Sequence, residues 1–266
     1  MNKGKNLTID AHVHVQDKPS SGFMGKNTSL KNLLNELDKA KVGKAVLLPI
    51  MPFVNNDFIG QICRQYPDRF IGFASVDFSK NRDLIKTLIC DIKRNNLKGI
   101  KIHPRIQEVG ILSKKVTEIV KVAADLKLPV TIDCFPQFSL SLPIEEIFPG
   151  RIGELARKVP GAKIIMAHAG GYKLWDAFFV AKANPNIYLE FSFSISYFKG
   201  SALEQDFGFI LKKIGAKRCI YGSDHPAVSL SEGFNDALRL CNAIKFSSEE
   251  REFFFGGTVL SILPKC

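Results

Sequence analysis

The 266-residue chain has no Cys-x-x-Cys pair, no glycine-rich phosphate loop and no apolar run near the ~20 residues that cross a bilayer. Each absence removes a class of protein. The six cysteines (Cys63, Cys90, Cys134, Cys219, Cys241 and Cys266) are scattered, which argues against a zinc ribbon and a disulfide framework. No secretory leader is read at the start, and together these features point to a reduced, cytoplasmic protein. The missing phosphate loop after the first apolar strand disfavours a doubly wound open sheet. Without a spanning run no membrane partner is expected, and without a linker or a shift in composition residues 1–266 read as one domain.

Acidic groups are also in short supply. The 37 Lys and Arg outnumber 26 Asp and Glu for a net charge of +11, which raises nucleic acid or an anionic substrate as a partner. The lysines are dispersed, however, in small groups such as Lys39, Lys41 and Lys44, or Lys212, Lys213 and Lys217. Most sit near expected helix ends, where cations oppose the dipole or solvate a surface. The aromatic–basic interleaving of an RNA-binding sheet is missing, so no nucleic-acid partner is expected.

What is present is a regular alternation. Short β-branched runs (Leu7–His14, Ala45–Pro49, Ile71–Val76, Gly99–His103, Val130–Asp133, Lys163–His168, Ile187–Phe191 and Cys219–Gly222) are expected strands. Between them lie amphipathic patterns at Leu30–Ala40, Phe58–Tyr66, Asp83–Asn95, Lys115–Leu126, Ile152–Lys158, Leu174–Ala183, Leu203–Ile214 and Ser231–Ala243. Eight β/α units of about 33 residues each fit a (β/α)8 TIM barrel. Ser247-Ser248-Glu249-Glu250 has capping-box spacing and starts an extra C-terminal helix, with Gly256-Gly257 expected to end it.

The histidines carry the functional reading. In Ile9-Asp10-Ala11-His12-Val13-His14-Val15, strand alternation puts Asp10, His12 and His14 on one face, where two neutral imidazoles make a pair of metal ligands. One hydrogen-bonded core histidine beside an exposed one explains a bare His-x-His equally well. All five histidines, though, fall at strand ends: His12 and His14 on the first, His103 on the fourth, His168 on the sixth and His225 after the eighth. Asp133 ends the fifth strand and Asp224 precedes His225. In a TIM barrel these ends converge on the face where active sites are built.

Asp10-Ala11-His12-Val13-His14, Gly99-Ile100-Lys101-Ile102-His103-Pro104, Ala167-His168-Ala169-Gly170-Gly171 and Tyr221-Gly222-Ser223-Asp224-His225-Pro226 occur in an order that resembles the amidohydrolase-related family of the amidohydrolase superfamily. The resemblance implies a metal-dependent barrel enzyme, most often with zinc and sometimes manganese, among hydrolases, lactonases and non-oxidative decarboxylases. It implies His12 and His14 as metal ligands, His168 as a ligand or substrate-polarising group, and Asp224 as a ligand or the base for metal-activated water. Metal-bound water titrates near pH 7, and a carboxylate within reach collects its proton. A turn-capping role for Asp224 stands as the alternative.

Two departures bear on this. Thr131-Ile132-Asp133-Cys134 has an aspartate where family members often carry histidine, so Asp133 is a substitute ligand or the site uses fewer ligands. Gly257-Thr258 stands where the family has Gly-Asn, a structural change. Lys101 shares a strand face with His103 and is expected to bind a substrate carboxylate with Arg105, to bridge two metals if carboxylated, or to pair with Asp133. His103 is a substrate-binding or a buried hydrogen-bonded residue. Phe135, Phe138, Phe191, Phe193, Tyr197, Phe198 and Trp175 supply aromatic walls for a small-molecule pocket or pack the loops, and Phe135 and Trp175 are the expected substrate contacts. Glu190 is a further acid.

The expected function is hydrolysis of a small carboxylated or cyclic amide, ester or lactone, with decarboxylation of an aromatic or unsaturated acid on the same residues as the alternative. A metal-dependent nuclease is disfavoured, because Gly-Ile-Lys-Ile-His replaces the glutamate ligand such barrels carry on the fourth strand. A barrel that has lost its metal and only binds a small molecule is the non-enzyme reading. Helix faces lacking charge are compatible with a homodimer.

Overall fold

A computed structural model describes residues 7–17, 28–80, 83–137 and 141–265. Among them are eight strands: β1 (Ile9–Val13), β2 (Lys44–Leu47), β3 (Phe70–Gly72), β4 (Ile100–Ile102), β5 (Pro129–Ile132), β6 (Lys163–Met166), β7 (Ile187–Glu190) and β8 (Cys219–Ile220). The helices are α1 (Leu30–Ala40), α2 (Asn56–Gln65), α3 (Leu84–Asn95), α4 (Lys114–Asp125), α5 (Pro149–Lys158), α6 (Leu174–Ala183), the single turn α7 (Ser194–Tyr197), α8 (Leu203–Ile214), α9 (Leu230–Ala243), α10 (Ser248–Glu252) and α11 (Thr258–Ile262). All strand pairs are parallel and run in sequence order, β1-β2-β3 and β4 through β8. Two seams close the ring. Ala74 bridges Ile100 and accepts from Lys101 N at 2.7 Å, while Val13 bridges His225 and His12 O accepts from Asp224 N at 2.9 Å.

Local sequence sets the helix starts. Ser29, Asn55, Ser113 and Ser229 each accept a hydrogen bond from a backbone N–H of the first turn. Ser247 and Glu250 form the reciprocal capping box. Gly256-Gly257 does not end that helix, as the sequence suggested; the pair lies in a π-type bulge that leads into α11. A Cβ on Gly256 would lie 2.7 Å from Leu7 O, so the bare backbone lets the helix seat against the start of β1. Thr258 Oγ1 donates to Ala216 O at 2.7 Å, the structural use foreseen for that departure.

The core has two layers. Most buried apolar residues fill the space between strands and helices, while Ile9, Ala11, Val46, Leu48, Phe73, Ile165 and Ile220 form a separate cluster with Val259 and Ile262 of α11. Val13 and Val15 belong to the first layer but Ile9 and Ala11 to the second, so the side-chain alternation of β1 switches. The cause is a register shift between Asp10 and Val13, a bulge that re-aims a side chain. Asp10 therefore does not join His12 and His14 on one face. Its Oδ1 accepts from His12 N (3.0 Å) and Ser223 N (2.9 Å), tying β1 to the end of β8.

Phe73 fills its layer without slack: a Cβ on Gly99 would lie 2.4 Å from its ring. Gly99→Ala is expected to lower unfolding free energy by about 1–3 kcal/mol through overpacking, read by urea denaturation. An unchanged midpoint would show that Phe73 has room to turn.

Candidate metal centre and active site

His12, His14 and Asp224 converge at the mouth of the barrel. His12 Nδ1 lies 2.9 Å from Glu190 Oε2 and His14 Nδ1 lies 2.7 Å from Leu48 O. A carbonyl only accepts, so His14 donates through Nδ1, and His12 does the same to its carboxylate. Burial and the charge of Lys101 hold the His12 pKa well below its ordinary value, so that ring is neutral. The neutral His12 ring keeps the lone pair of its Nε2, and the Nε2 atoms of His12 and His14 both face Asp224 Oδ1, at 3.4 and 3.3 Å. A lone pair aimed at a carboxylate oxygen is repelled unless a cation stands near, and at His12 that cation is a bound ion or Lys101, whose Nζ lies 3.1 Å from Nε2. Separations of about 3.3 Å are what ligands ~2.0–2.1 Å from one tetrahedral ion adopt. The three donors, all buried, fit a divalent metal.

A second trio, His12, His168 and Glu190, also brings donor atoms within 4.8 Å. Protein groups fill its centre, because Ser192 Oγ lies 3.0 Å from His12 Nδ1, 3.1 Å from His168 Nδ1 and 2.9 Å from Glu190 Oε2. His168 Nε2 is committed to Asp133 Oδ2 at 2.9 Å. Burial alone would lower the His168 pKa, but the charge and hydrogen bond of Asp133, helped by Asp224 and Glu190, raise it to about 9. The raised pKa favours the imidazolium, whose Nε2–H serves Asp133 and is not turned to the His12, His14 and Asp224 trio. Asp133 Oδ2 also faces His103 Nε2 at 3.4 Å. Burial pushes the Asp133 pKa up, yet the neighbouring histidines hold it well below its ordinary value. His103, lowered to about 3 mainly by burial, is neutral and accepts from Ile106 N through Nδ1. Asp133 thus clamps two histidines and stands outside both donor trios.

Two site residues sit in the left-handed region, Asp224 at φ 68 and His168 at φ 60. Asp224 is held there by its N–H to His12 O and by Ala227 N donating to its carbonyl at 2.8 Å.

A cavity of about 710 Å³ opens beside these groups, and its lining includes His14, His103, Asp133, His168 and Asp224 together with Arg105, Phe135, Tyr172, Phe193, Tyr197 and Phe198. Phe135 stands edge-on to His168, with ring centroids 5.9 Å apart, and to Phe193 at 5.1 Å. The Arg105 Nε is buried without a hydrogen-bond partner among the described residues. Two expected contacts lie elsewhere. Lys101 is wholly buried, does not line the cavity, and places Nζ 3.1 Å from His12 Nε2. Burial lowers its pKa against the charges of Asp133, Asp224 and Glu190, and an ion bound by the trio would take over the lone pair it shares. Trp175 lies on the outer face of α6, donates to Asp206 at 3.0 Å and packs on Phe178, Phe179 and Phe209. Phe138 lies outside the described residues.

A family model described as amidohydrolase matches residues 9–263. The chain belongs to the amidohydrolase family. No curated protein matches it. Among solved structures, an uncharacterized TIM-barrel protein from Bordetella bronchiseptica superposes with a TM-score of 0.82 at 16% identity, covering 96% of this chain and 98% of that one. A probable 2-pyrone-4,6-dicarboxylic acid hydrolase from Acinetobacter baumannii, with citric acid bound, gives 0.67 at 16% identity over 96% and 98%. A dihydroxybenzoic acid decarboxylase from Polaromonas, with manganese and the inhibitor 2-nitroresorcinol, gives 0.72 at 15% identity over 97% of each chain. At these identities the likeness is one of fold. This amidohydrolase carries its acids and bases on the loops that a barrel devotes to chemistry.

Glu190 was expected only as a further acid, and Ser192 had no expected role. Their signal was an acid at the end of β7, facing a barrel mouth that already held four histidines.

Proposed function

We propose that this amidohydrolase is a metal-dependent hydrolase of small carboxylated or cyclic compounds, opening an amide, ester or lactone with activated water. The observation that carries this reading is one cavity holding two kinds of group: His14 and Asp224 of the donor trio, and Arg105, whose Nε has no hydrogen-bond partner among the described residues. His12, His14 and Asp224 would hold the ion, and two imidazoles with one carboxylate suit zinc first and manganese second. When bound, a divalent ion supplies Lewis acidity and lowers the pKa of water to about 7.

The remaining work falls to the chain. Asp224, lining the cavity, collects the proton of the attacking water. His168, protonated and facing the same space, would release its Nε2–H from Asp133 to the oxygen on which charge develops or to the leaving group. Arg105 takes a substrate carboxylate, and Phe135 and Phe193 wall an unsaturated or aromatic ring. The protonated His168 also favours a second reading, decarboxylation, in which it would protonate the carbanion left by carbon dioxide. Among the described residues the free cysteines, buried or partly buried but for Cys90, suit a cytoplasmic setting.

The test is turnover of lactones and aromatic acids with and without a second carboxylate, scored by ¹⁸O incorporation from water against carbon dioxide release. Arg105→Leu is expected to raise KM for carboxylated substrates roughly 10–100-fold, with little effect on uncharged analogues. Equal effects on both would remove Arg105 from carboxylate recognition.

A further inference from the structure

We propose that Glu190 and Ser192 are positioning residues: a carboxylate and a hydroxyl that together fix the tautomer of His12 and join it to His168. The metal-binding part of this inference rests on the reading of His12 as a ligand; the tautomer part stands without it.

The hydrogen-bond accounting around Glu190 leaves little freedom. Its Oε1 accepts from Ser192 N, and its Oε2 faces His12 Nδ1 (2.9 Å), the Ser192 hydroxyl (2.9 Å) and His168 N (3.4 Å). Four donors are aimed at two oxygens, so Glu190 accepts throughout and donates nowhere. His12 must then carry its proton on Nδ1, which leaves the Nε2 lone pair facing Asp224. The Ser192 hydroxyl has one proton, and it goes to Glu190. Its oxygen is left to accept from His168 Nδ1 at 3.1 Å, an N–H shared with the Ser192 carbonyl at 3.2 Å, while Nε2 of the same ring serves Asp133. One carboxylate and one hydroxyl thus set the hydrogen positions on two rings whose centroids lie 4.9 Å apart.

Packing holds this strut in place. Glu190 and Ser192 are 1% and 0% exposed, so water cannot substitute for either. From β8, a Cβ on Gly222 would lie 2.6 Å from Glu190 Oε1 and 2.8 Å from His12 Cβ. Only a bare backbone lets the three strands approach this closely, and the approach sets the Glu190–His12 distance. A carboxylate behind a ligating histidine orients the ring and raises its basicity, and its loss commonly costs 10–100-fold in metal affinity.

Two variants test this, Glu190→Gln and Ser192→Ala, each read by zinc affinity against a chromophoric chelator and by ¹⁵N NMR of the histidine rings in the metal-free protein. A Gln amide has one accepting oxygen, so its NH2 must face a donor. Glu190→Gln is therefore expected to weaken zinc roughly 10–100-fold and to shift His12 from the Nδ1–H tautomer to a mixture. Ser192→Ala keeps the carboxylate; it should weaken zinc roughly fivefold and alter the His168 Nδ1 signal, and the double variant should bind no worse than Glu190→Gln alone. A Glu190→Gln protein with zinc affinity within about twofold of the parent and His12 still Nδ1–H would overturn the proposal. Should Glu190→Gln fail to fold, Ser192→Ala decides it, and unchanged affinity with an unchanged His168 signal would overturn it. If the parent binds no zinc, the metal reading falls, and the tautomer comparison still decides the role of Glu190.

Discussion

Replacing His12 and His14 together with alanine is expected to strip the protein of its metal and to lower turnover roughly a thousandfold or more. The two imidazoles supply two of the three donors in the trio, and Asp224 alone cannot hold an ion against water. Neither ring has a substitute within reach, because His168 is tied through Nε2 to Asp133 and His103 faces the same carboxylate. Metal content by mass spectrometry gives the direct reading: one equivalent in the parent and none in the double variant. A bound ion also stabilises the fold, by about 2.7 kcal/mol when free metal is a hundredfold above Kd. A chelator should therefore lower the Tm of the parent and leave that of the double variant unchanged. One equivalent of metal retained by the double variant would show that the ion sits elsewhere.

The second large effect follows from His168. Burial opposes its charge, but Asp133 raises its folded pKa from 6.5 to about 9. A group whose pKa is raised by folding adds stability in full below its unfolded pKa and loses it as pH climbs through the folded one. The pair should thus contribute roughly 3 kcal/mol at pH 6 that drains away between pH 6.5 and 9, and kcat/KM should fall over the upper end of that range as the imidazolium loses its proton. Asp133→Asn removes the cause. It is expected to cost about 3–5 kcal/mol at pH 6, because it strands a buried cation, and much less at pH 9.5. Urea unfolding of parent and variant at both values reads this directly. A destabilisation that is the same at pH 6 and pH 9.5 would place the proton of His168 elsewhere.

Much of the fold was legible because its periods are long and its punctuation local. Leu30–Ala40, Leu174–Ala183 and Leu203–Ile214 are helices with the bounds their patterns suggested, and the eight strand positions hold with earlier C-terminal ends, β2, β3 and β5 also starting one residue sooner. The strands stop early because the residues bearing His14, His103, Asp133 and His168 leave the ladder just beyond the last pair. The outward placement of Trp175 was hidden for a physical reason. Leu174, Trp175, Ala177, Phe178, Phe179, Val180 and Ala181 make α6 apolar nearly all round, so periodicity does not say which face turns inward. The bulge in β1 left no mark in the pattern either, because Asp10 and His12 look alike to a rule that alternates apolar with polar residues.

By itself the sequence determined the parallel β/α order, the single barrel, and the arrival of His12, His14, His168 and Asp224 at one end of it, because strand direction alone sends those ends to the same face. Only the tertiary structure decided what each of them can do. Whether a histidine offers a lone pair or holds a proton depends on the group a few ångströms away, and that group is remote in the chain: Glu190 stands 178 residues from His12, and Asp133 stands 35 from His168. The roles divide accordingly, with the Nε2 atoms of His12 and His14 turned to Asp224 and His168 held by Asp133 beside the cavity.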